Sequence, residues 1–363
     1  MPLESGASPA RLRIAQSQVA PLPDGRWITR WTFGAPGGVM AEVLSLGARL
    51  EAIHVPDRDG HRTNVVLGGG QVAELLGGAA YFGATVGRYA NRVAGGELPL
   101  GGAVHQLATQ DTGHTLHGGP DGFATRLWEG VPVRKDGRVG VRLRLHSPDG
   151  DQGFPGALTA EVSYLLDADG ELTIEYGATS DASTVVNLTN HAYFNLAGEG
   201  SGTVLEHLLR VDASGYLPVD EDLIPLGPVE SVTGTAFDLR ETRPIGERLA
   251  ARHPQLDRAG GGYDHNWVLN GTGLRTVAVL TDPASGRRLE CRTTEPGLQV
   301  YTGNHFDGSV TGRSGRPYLA HAGIALETQH YPDSPHRPEY PSTVLHPGEA
   351  YRSTTVYRFT AGR

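Results

Sequence analysis

The chain has 363 residues, a formal net charge of −9, 38% hydrophobic residues and a single cysteine, Cys291. A chain of this length can bury a sizeable core without disulfide or metal staples, and one cysteine makes no internal disulfide. The acidic balance argues against a nucleic-acid partner, whose phosphates need a basic face, and no apolar stretch approaches a membrane span.

Residues 1–23 show no basic-then-apolar run followed by small residues, so no signal peptide is expected there. A lone thiol, most simply read as a small buried apolar side chain, suits a reducing, cytoplasmic compartment. The segment 1–23 is set apart as an N-terminal segment expected to be partly disordered, and 24–363 is read as one domain. Glycine and proline, 51 and 24 residues, are spread along the chain and not pooled in a linker. Long amphipathic helical windows are missing; short apolar alternation bounded by turn residues recurs instead, the pattern of half-buried strands.

In chain order, residues 83–96 read GATVGRYANRVAGG and carry Arg88, Asn91 and Arg92 between glycines. Residues 115–119 read TLHGG. His114 and His117 have a ligand-like spacing but lack a third ligand at a defined offset, so no metal is expected. The clearest strands follow. Val139, Val141, Leu143 and Leu145 alternate with small or charged residues; Leu158 to Leu166 repeats the period; and Leu172, Ile174, Tyr176 and Ala178 resume it after Asp169-Gly170. Asp-Gly between strands predicts a hairpin, because glycine accepts the positive φ such turns need. This is an antiparallel meander. Residues 187–196 read NLTNHAYFNL, with His191 beside Asn190 and near Tyr193. A short helical turn is predicted over 246–252. Residues 262–269 read GYDHNWVL and 295–304 read EPGLQVYTGN. Further strands are predicted at 276–281, 289–293, 323–327 and 351–359, and residues 325–336 read ALETQHYPDSPH.

Many such strands hide their apolar faces by packing sheet on sheet, so the fold class is all-β, a single large antiparallel β-sandwich. Each polar segment, taken singly, has a plain structural reading: an arginine capping carbonyls, an Asx turn at Asp264, an outward-facing glutamate at 327. A sandwich nevertheless gathers loops and strand ends from distant sequence onto one face. The pooled inventory is histidine, carboxylate, arginine, amide and aromatic. No phosphate loop, dinucleotide fingerprint or serine elbow accompanies it. That set suits proton transfer near neutral pH on a hydroxyl-rich ligand.

The motifs GRYANR, LHGG, NLTNHAYFNL, DHN, EPGLQVYTGN and LETQHYPDS resemble those of the aldose 1-epimerase (galactose mutarotase) family, in that family's order, over roughly 24–360. The resemblance implies a large antiparallel β-sandwich and a cofactor-free isomerase acting on a free monosaccharide. It implies His191 as general acid and Glu327 as general base, with sugar contacts from Asn91, Arg92, His117, Tyr193, Asp264 and Gln299. Trp267 stands where relatives carry another aromatic or apolar residue, and could adjust the pocket wall. The partner expected is a monosaccharide, with no nucleic acid and no membrane, and the chain is expected to be a monomer or weak homodimer. Three rival readings are a hexose-6-phosphate mutarotase holding phosphate with Arg88 or Arg313, a glycoside hydrolase pairing Glu327 with Asp264, and a non-catalytic sugar-binding β-sandwich.

Overall fold

The computed structural model describes residues 12–110 and 112–362. Almost all regular structure there is antiparallel strand, and the only α-helices among the described residues are Val72–Leu75, Ile245–Leu249 and Pro254–Arg258. The second of these is the helical turn predicted over 246–252. No helix among the described residues is long and apolar enough to cross a membrane.

Three large sheets share one core. The predicted meander is the start of a nine-stranded sheet: Glu129–Lys135, Arg138–Ser147, Leu158–Leu166 and Glu171–Ser180 pair in sequence order, and Tyr351–Ala361, Arg287–Thr293 and Arg275–Thr281 continue it. The register sets Val141 opposite Tyr164 and Tyr164 opposite Ile174. The strand period of two therefore puts these side chains on one buried face while Arg142 and Arg144 face solvent. Gly170 closes the predicted hairpin at φ +82°. Cys291 is fully buried in the same face, as the sequence suggested.

A five-stranded sheet runs from Arg13–Pro21 through Trp27–Gly34, Met40–Leu44, Arg49–Pro56 and Arg62–Asn64. Its first strand lies inside the segment that the sequence set apart: Arg13 pairs with Gly34 and Pro21 with Trp27. Sheet structure thus begins eleven residues before the domain start read from the motifs, which fall later in the chain. Residues 1–11 lie outside the described residues.

The third sheet positions the site. Tyr193–Phe194, Ile324–Gln329, Gly297–Tyr301 and Asp264–Leu269 are neighbours in a six-stranded sheet. Alternation sends Trp267, Leu298, Val300 and Leu326 into the common core. It sends Asp264, Gln299 and Glu327 to the other face. Pairing places Gln299 directly opposite Glu327, and Asn266 opposite Gln299. A polar row thus crosses three strands from three different parts of the sequence.

Candidate active site

His191 is set by its backbone. Its N–H donates to the Ala84 carbonyl and its carbonyl accepts from the Gly83 N–H, both at 2.8 Å. The Asn190 side chain donates to the Gly83 carbonyl at 2.6 Å and to the Tyr164 hydroxyl at 3.1 Å, so the motif asparagine ties this strand to its neighbours. The His191 imidazole then points at the six-stranded sheet. Its Nε2 lies 3.6 Å from Glu327 Oε1, and the two side chains are 6% and 2% exposed. Two residues 136 positions apart (327 − 191) meet with almost no water around them.

Asn91 and His117 form a second unit. Both adopt left-handed backbone, at φ +63° and +53°. The Asn91 N–H donates to His117 Nδ1 at 3.1 Å, and the His117 N–H donates to the Asn91 carbonyl at 3.0 Å. Burial, aided by the nearby His191 and Arg92, pushes the His117 imidazolium well below the usual histidine range. A neutral ring whose Nδ1 accepts carries its proton on Nε2. His117 therefore presents a fixed N–H donor, and its ring centre is 5.1 Å from that of His191.

His117, His191 and Glu327 bring one ligand-capable atom each within 4.8 Å of one another. The tautomer argues against a metal there, because the free nitrogen of His117 holds a proton and not a lone pair. His114, suggested by spacing, does not join them: its Nδ1 accepts from the Gly95 N–H and its Nε2 faces Asp222 at 3.6 Å.

The two arginines of GRYANR separate clearly. Arg88 is buried and donates to the carbonyls of Pro155, Gly156 and Pro148 and to Ser147 Oγ, at 2.6–3.1 Å. It fastens loops. Arg92 is half-buried, and its charge acts on Glu327, His117 and Tyr301. Arg313 is committed to Glu42 at 3.0 Å.

On the sheet face, Gln299 Nε2 donates to Asp264 Oδ1 at 2.6 Å. Tyr193 lies 4.9 Å from the His191 ring and Tyr81 4.8 Å from the His117 ring. Both tyrosines also line an aromatic cleft of about 180 Å³ with Phe82, Phe306 and Tyr318. A larger, open depression of about 720 Å³ lies at Arg26, Asp121, Arg126 and Arg144 and contains none of the predicted residues.

The electrostatics of the pair follow from burial. Desolvation, reinforced by Asp264 and opposed by Arg92, raises the Glu327 carboxyl well above the usual range. Desolvation lowers His191 to about 4. Glu327 Oε2, Gln299 Oε1, Asn266 Oδ1 and His191 Nδ1 are buried with no protein partner among the described residues. Orphaned polar atoms cost free energy unless something polar meets them, and a hydroxylated ligand would do so.

Comparison with known proteins gives the family. The family model described as aldose 1-epimerase matches residues 29–358. A galactose mutarotase from Bos taurus is 43% identical over 88% of this chain and 90% of its own, and an aldose 1-epimerase from Escherichia coli is 40% identical over 93% and 97%. A crystal structure of a galactose 1-epimerase from Lactobacillus acidophilus superposes with a TM-score of 0.86 at 30% identity, covering 97% of this chain and all of that one. The chain belongs to the aldose 1-epimerase family. It is an isomerase with mutarotase activity.

For this epimerase, all eight residues named from the sequence gather around the His191–Glu327 contact or on the elements that frame it. One expectation needs correcting. Trp267 does not form pocket wall: it is fully buried in the core, where its indole N–H donates to the Phe237 carbonyl at 3.1 Å. Its neighbours Asp264 and Asn266 take the site face, so alternation along DHNW alone could have shown this. Tyr81 went unread because it precedes the polar segment and no motif contains it.

Proposed function

We propose that Glu327 and His191 are the general base and general acid of an aldose 1-epimerase acting on free aldoses such as glucose and galactose. The observation that carries this is the 3.6 Å contact between a buried imidazole and a buried carboxylate, beside a fixed N–H donor and an arginine. Glu327 takes the proton from the anomeric hydroxyl while His191 gives one to the ring oxygen. The C1–O5 bond breaks, and the free aldehyde forms. Rotation about C1–C2 presents the other carbonyl face, and closure with the two proton transfers reversed gives the other anomer. Each transfer contributes about 10²–10⁴-fold. Asn91, Arg92, His117, Tyr193, Asp264 and Gln299 hold the ring so that both protons move along short paths.

The working state needs a charged pair, Glu327 ionised and His191 protonated, whereas burial favours the neutral one. Arg92 pulls in the required direction on Glu327. A sugar hydroxyl donating to the carboxylate pulls the same way. Binding and activation are therefore one event: the sugar that is to react moves the shared proton onto the imidazole. The reading extends to a cytoplasmic monomer or weak homodimer, supported by the single buried Cys291 and an acidic chain.

Polarimetry from α-D-glucose and α-D-galactose tests the assignment. Glu327→Gln and His191→Asn are each expected to cut kcat by at least 10²-fold while leaving the fold and its Tm in place. Near-wild-type rates in either variant would overturn it. Both cations nominated for a sugar phosphate, Arg88 and Arg313, are already occupied within the protein, so glucose 6-phosphate is expected to compete poorly. No reducing sugar is expected to be released from a disaccharide.

A further inference from the structure

The turn that follows Glu327 in the chain grips the strand that carries Arg92. Asp333 is 1% exposed and sits at φ +57°, a conformation that turns its backbone N–H and its carboxylate toward the same neighbour. Its N–H donates to the Arg92 carbonyl at 2.8 Å, and its Oδ1 accepts from the Ala94 N–H at 2.9 Å. Three residues before Arg92, the Tyr89 hydroxyl donates to the Tyr331 carbonyl at 3.0 Å and accepts from the Ser334 N–H at 3.1 Å. From outside, His336 Nδ1 donates to Asp333 Oδ1 at 2.7 Å, and Arg337 lies 3.9 Å from Oδ2.

Neither Asp333 nor Tyr89 has a part in the proton transfers, yet each joins the segment that carries Arg92 to the turn that follows the Glu327 strand. Among the described residues the hydrogen bonds of Arg92 are made by its backbone, through the two-residue ladder to Leu116, the bond to Asn91 Oδ1 and the Asp333 N–H. A guanidinium on so short a ladder has its position set by what holds residues 91–94.

We propose that Asp333 is a positioning residue of the sugar site, fixing Arg92 relative to Glu327 by clasping residues 92–94. The inference rests on the roles given to Arg92 and Glu327 above. Loss of the clasp frees Arg92 to swing away. The sugar then binds less tightly, and Glu327 loses part of the positive field that favours its ionised form. Asparagine at 333 keeps an oxygen that can accept from the Ala94 N–H, and it keeps the backbone donor; alanine keeps only the latter.

The test compares Asp333→Ala, Asp333→Asn, Arg92→Met and the double variant Asp333→Ala/Arg92→Met in polarimetric assays with galactose from pH 5 to 9. Asp333→Ala is expected to raise KM five- to twenty-fold with kcat within about threefold, and to move the acidic limb of kcat/KM to higher pH. Asp333→Asn is expected to restore most of both. The double variant is expected to be little worse than Arg92→Met alone, since both changes disable the same contact. Ser334→Ala, which deletes a hydroxyl bond within the same turn at 2.8 Å to the Tyr331 carbonyl, controls for loosening the turn alone, and is expected to lower Tm without shifting the limb.

Unchanged KM and pH limb in a folded Asp333→Ala, additive losses in the double variant, or equal shifts in Ser334→Ala would each overturn the proposal. If Asp333→Ala does not fold, the limb position in Asp333→Asn against Arg92→Met decides. A limb that moves as far in the asparagine variant as in Arg92→Met also rejects it. A wild type that does not mutarotate would instead reject the catalytic reading on which the inference stands.

Discussion

At the scale of single residues, the site works by setting charges against one another across a dry contact. Glu327 is pushed up by burial and by Asp264, and pulled down by Arg92. Two substitutions separate these influences. Asp264→Asn removes a like charge, so the ionised carboxylate becomes easier to form and the acidic limb of kcat/KM should move to lower pH. Arg92→Met removes the opposing charge, so the limb should move to higher pH. Both variants weaken sugar binding, but the limb is read from its midpoint and not from its height. Shifts of about half to one pH unit in opposite directions are expected, since nearby charges move a carboxyl by such amounts. Shifts of the same sign would show that lost binding, and not charge, governs both variants. Arg88 makes the contrast: its donors are taken up by the carbonyls of Pro148, Pro155 and Gly156 and by Ser147 Oγ. Arg88→Met should strand those carbonyls and destabilise by about 3 kcal/mol or more, read as a lower urea midpoint, with KM unchanged in whatever folds.

At the scale of the strand, the site depends on how closely neighbouring backbones approach. Gly297 begins the strand that carries Gln299 to its place opposite Glu327. A Cβ there would meet Asn266 Oδ1 at 2.5 Å, the Gln329 carbonyl at 2.9 Å and the Tyr331 ring at 3.0 Å. Backbone and a packed ring surround the position, so the strand must shift. Gly297→Ala is expected to cost about 1–3 kcal/mol, seen as a lower Tm, and to raise KM by displacing Gln299 and Asn266. A Tm within a degree of wild type would show that the strand has slack.

The same strands explain what could be read beforehand. The meander was legible because one face of it meets water: Arg142 and Arg144 mark every second residue, and the period of two is visible. The six-stranded sheet is buried on both faces, with Gln299 and Glu327 as dry as Leu298 and Leu326, so its polar residues looked like loop residues and only the motifs located them. The first sheet escaped reading for another reason. Arg13–Pro21 is largely exposed on an edge, whereas Arg49 and Glu51 are buried inside a strand where the pattern calls for apolar residues. Arg49 is tolerated because it donates to the carbonyls of Ala79, Ala80 and Phe82, a partner set separated from it by about thirty residues of sequence that no spacing rule connects.

At the scale of the whole molecule, the sandwich hides several titratable groups, and this fixes how stability responds to pH. Four histidines are held neutral by burial: His191 and His207 near 4, His265 near 3 and His117 well below its usual value. Each is lowered relative to the unfolded chain, so between about pH 4 and 6.5 the unfolded state binds the proton that the folded state refuses. Their contribution to stability is complete above 6.5 and is lost as pH falls. Glu51 and Glu327 are raised by burial and act in the opposite sense: their contribution is present below the unfolded value near 4.5 and is lost as pH rises through the folded one. Between pH 4.5 and 6.5 four groups oppose two, and each proton is worth about 1.4 kcal/mol per pH unit. The net is a loss of on the order of 1–3 kcal/mol per unit on acidification. Above pH 6.5 the contributions of the four histidines are complete, and the groups held above their ordinary values, Glu51, Glu327 and the Asp333-bonded His336, act in the opposite sense. Stability should therefore rise from pH 4.5 and stop rising near pH 6.5, measured as the urea midpoint from pH 4.5 to 8. His207→Gln, which replaces an imidazole accepting from the Leu196 N–H at 3.0 Å, should flatten the acidic side by about one proton. A profile that rises steadily toward pH 4.5, or an unchanged acidic slope in that variant, would mean the buried histidines are protonated in the folded state.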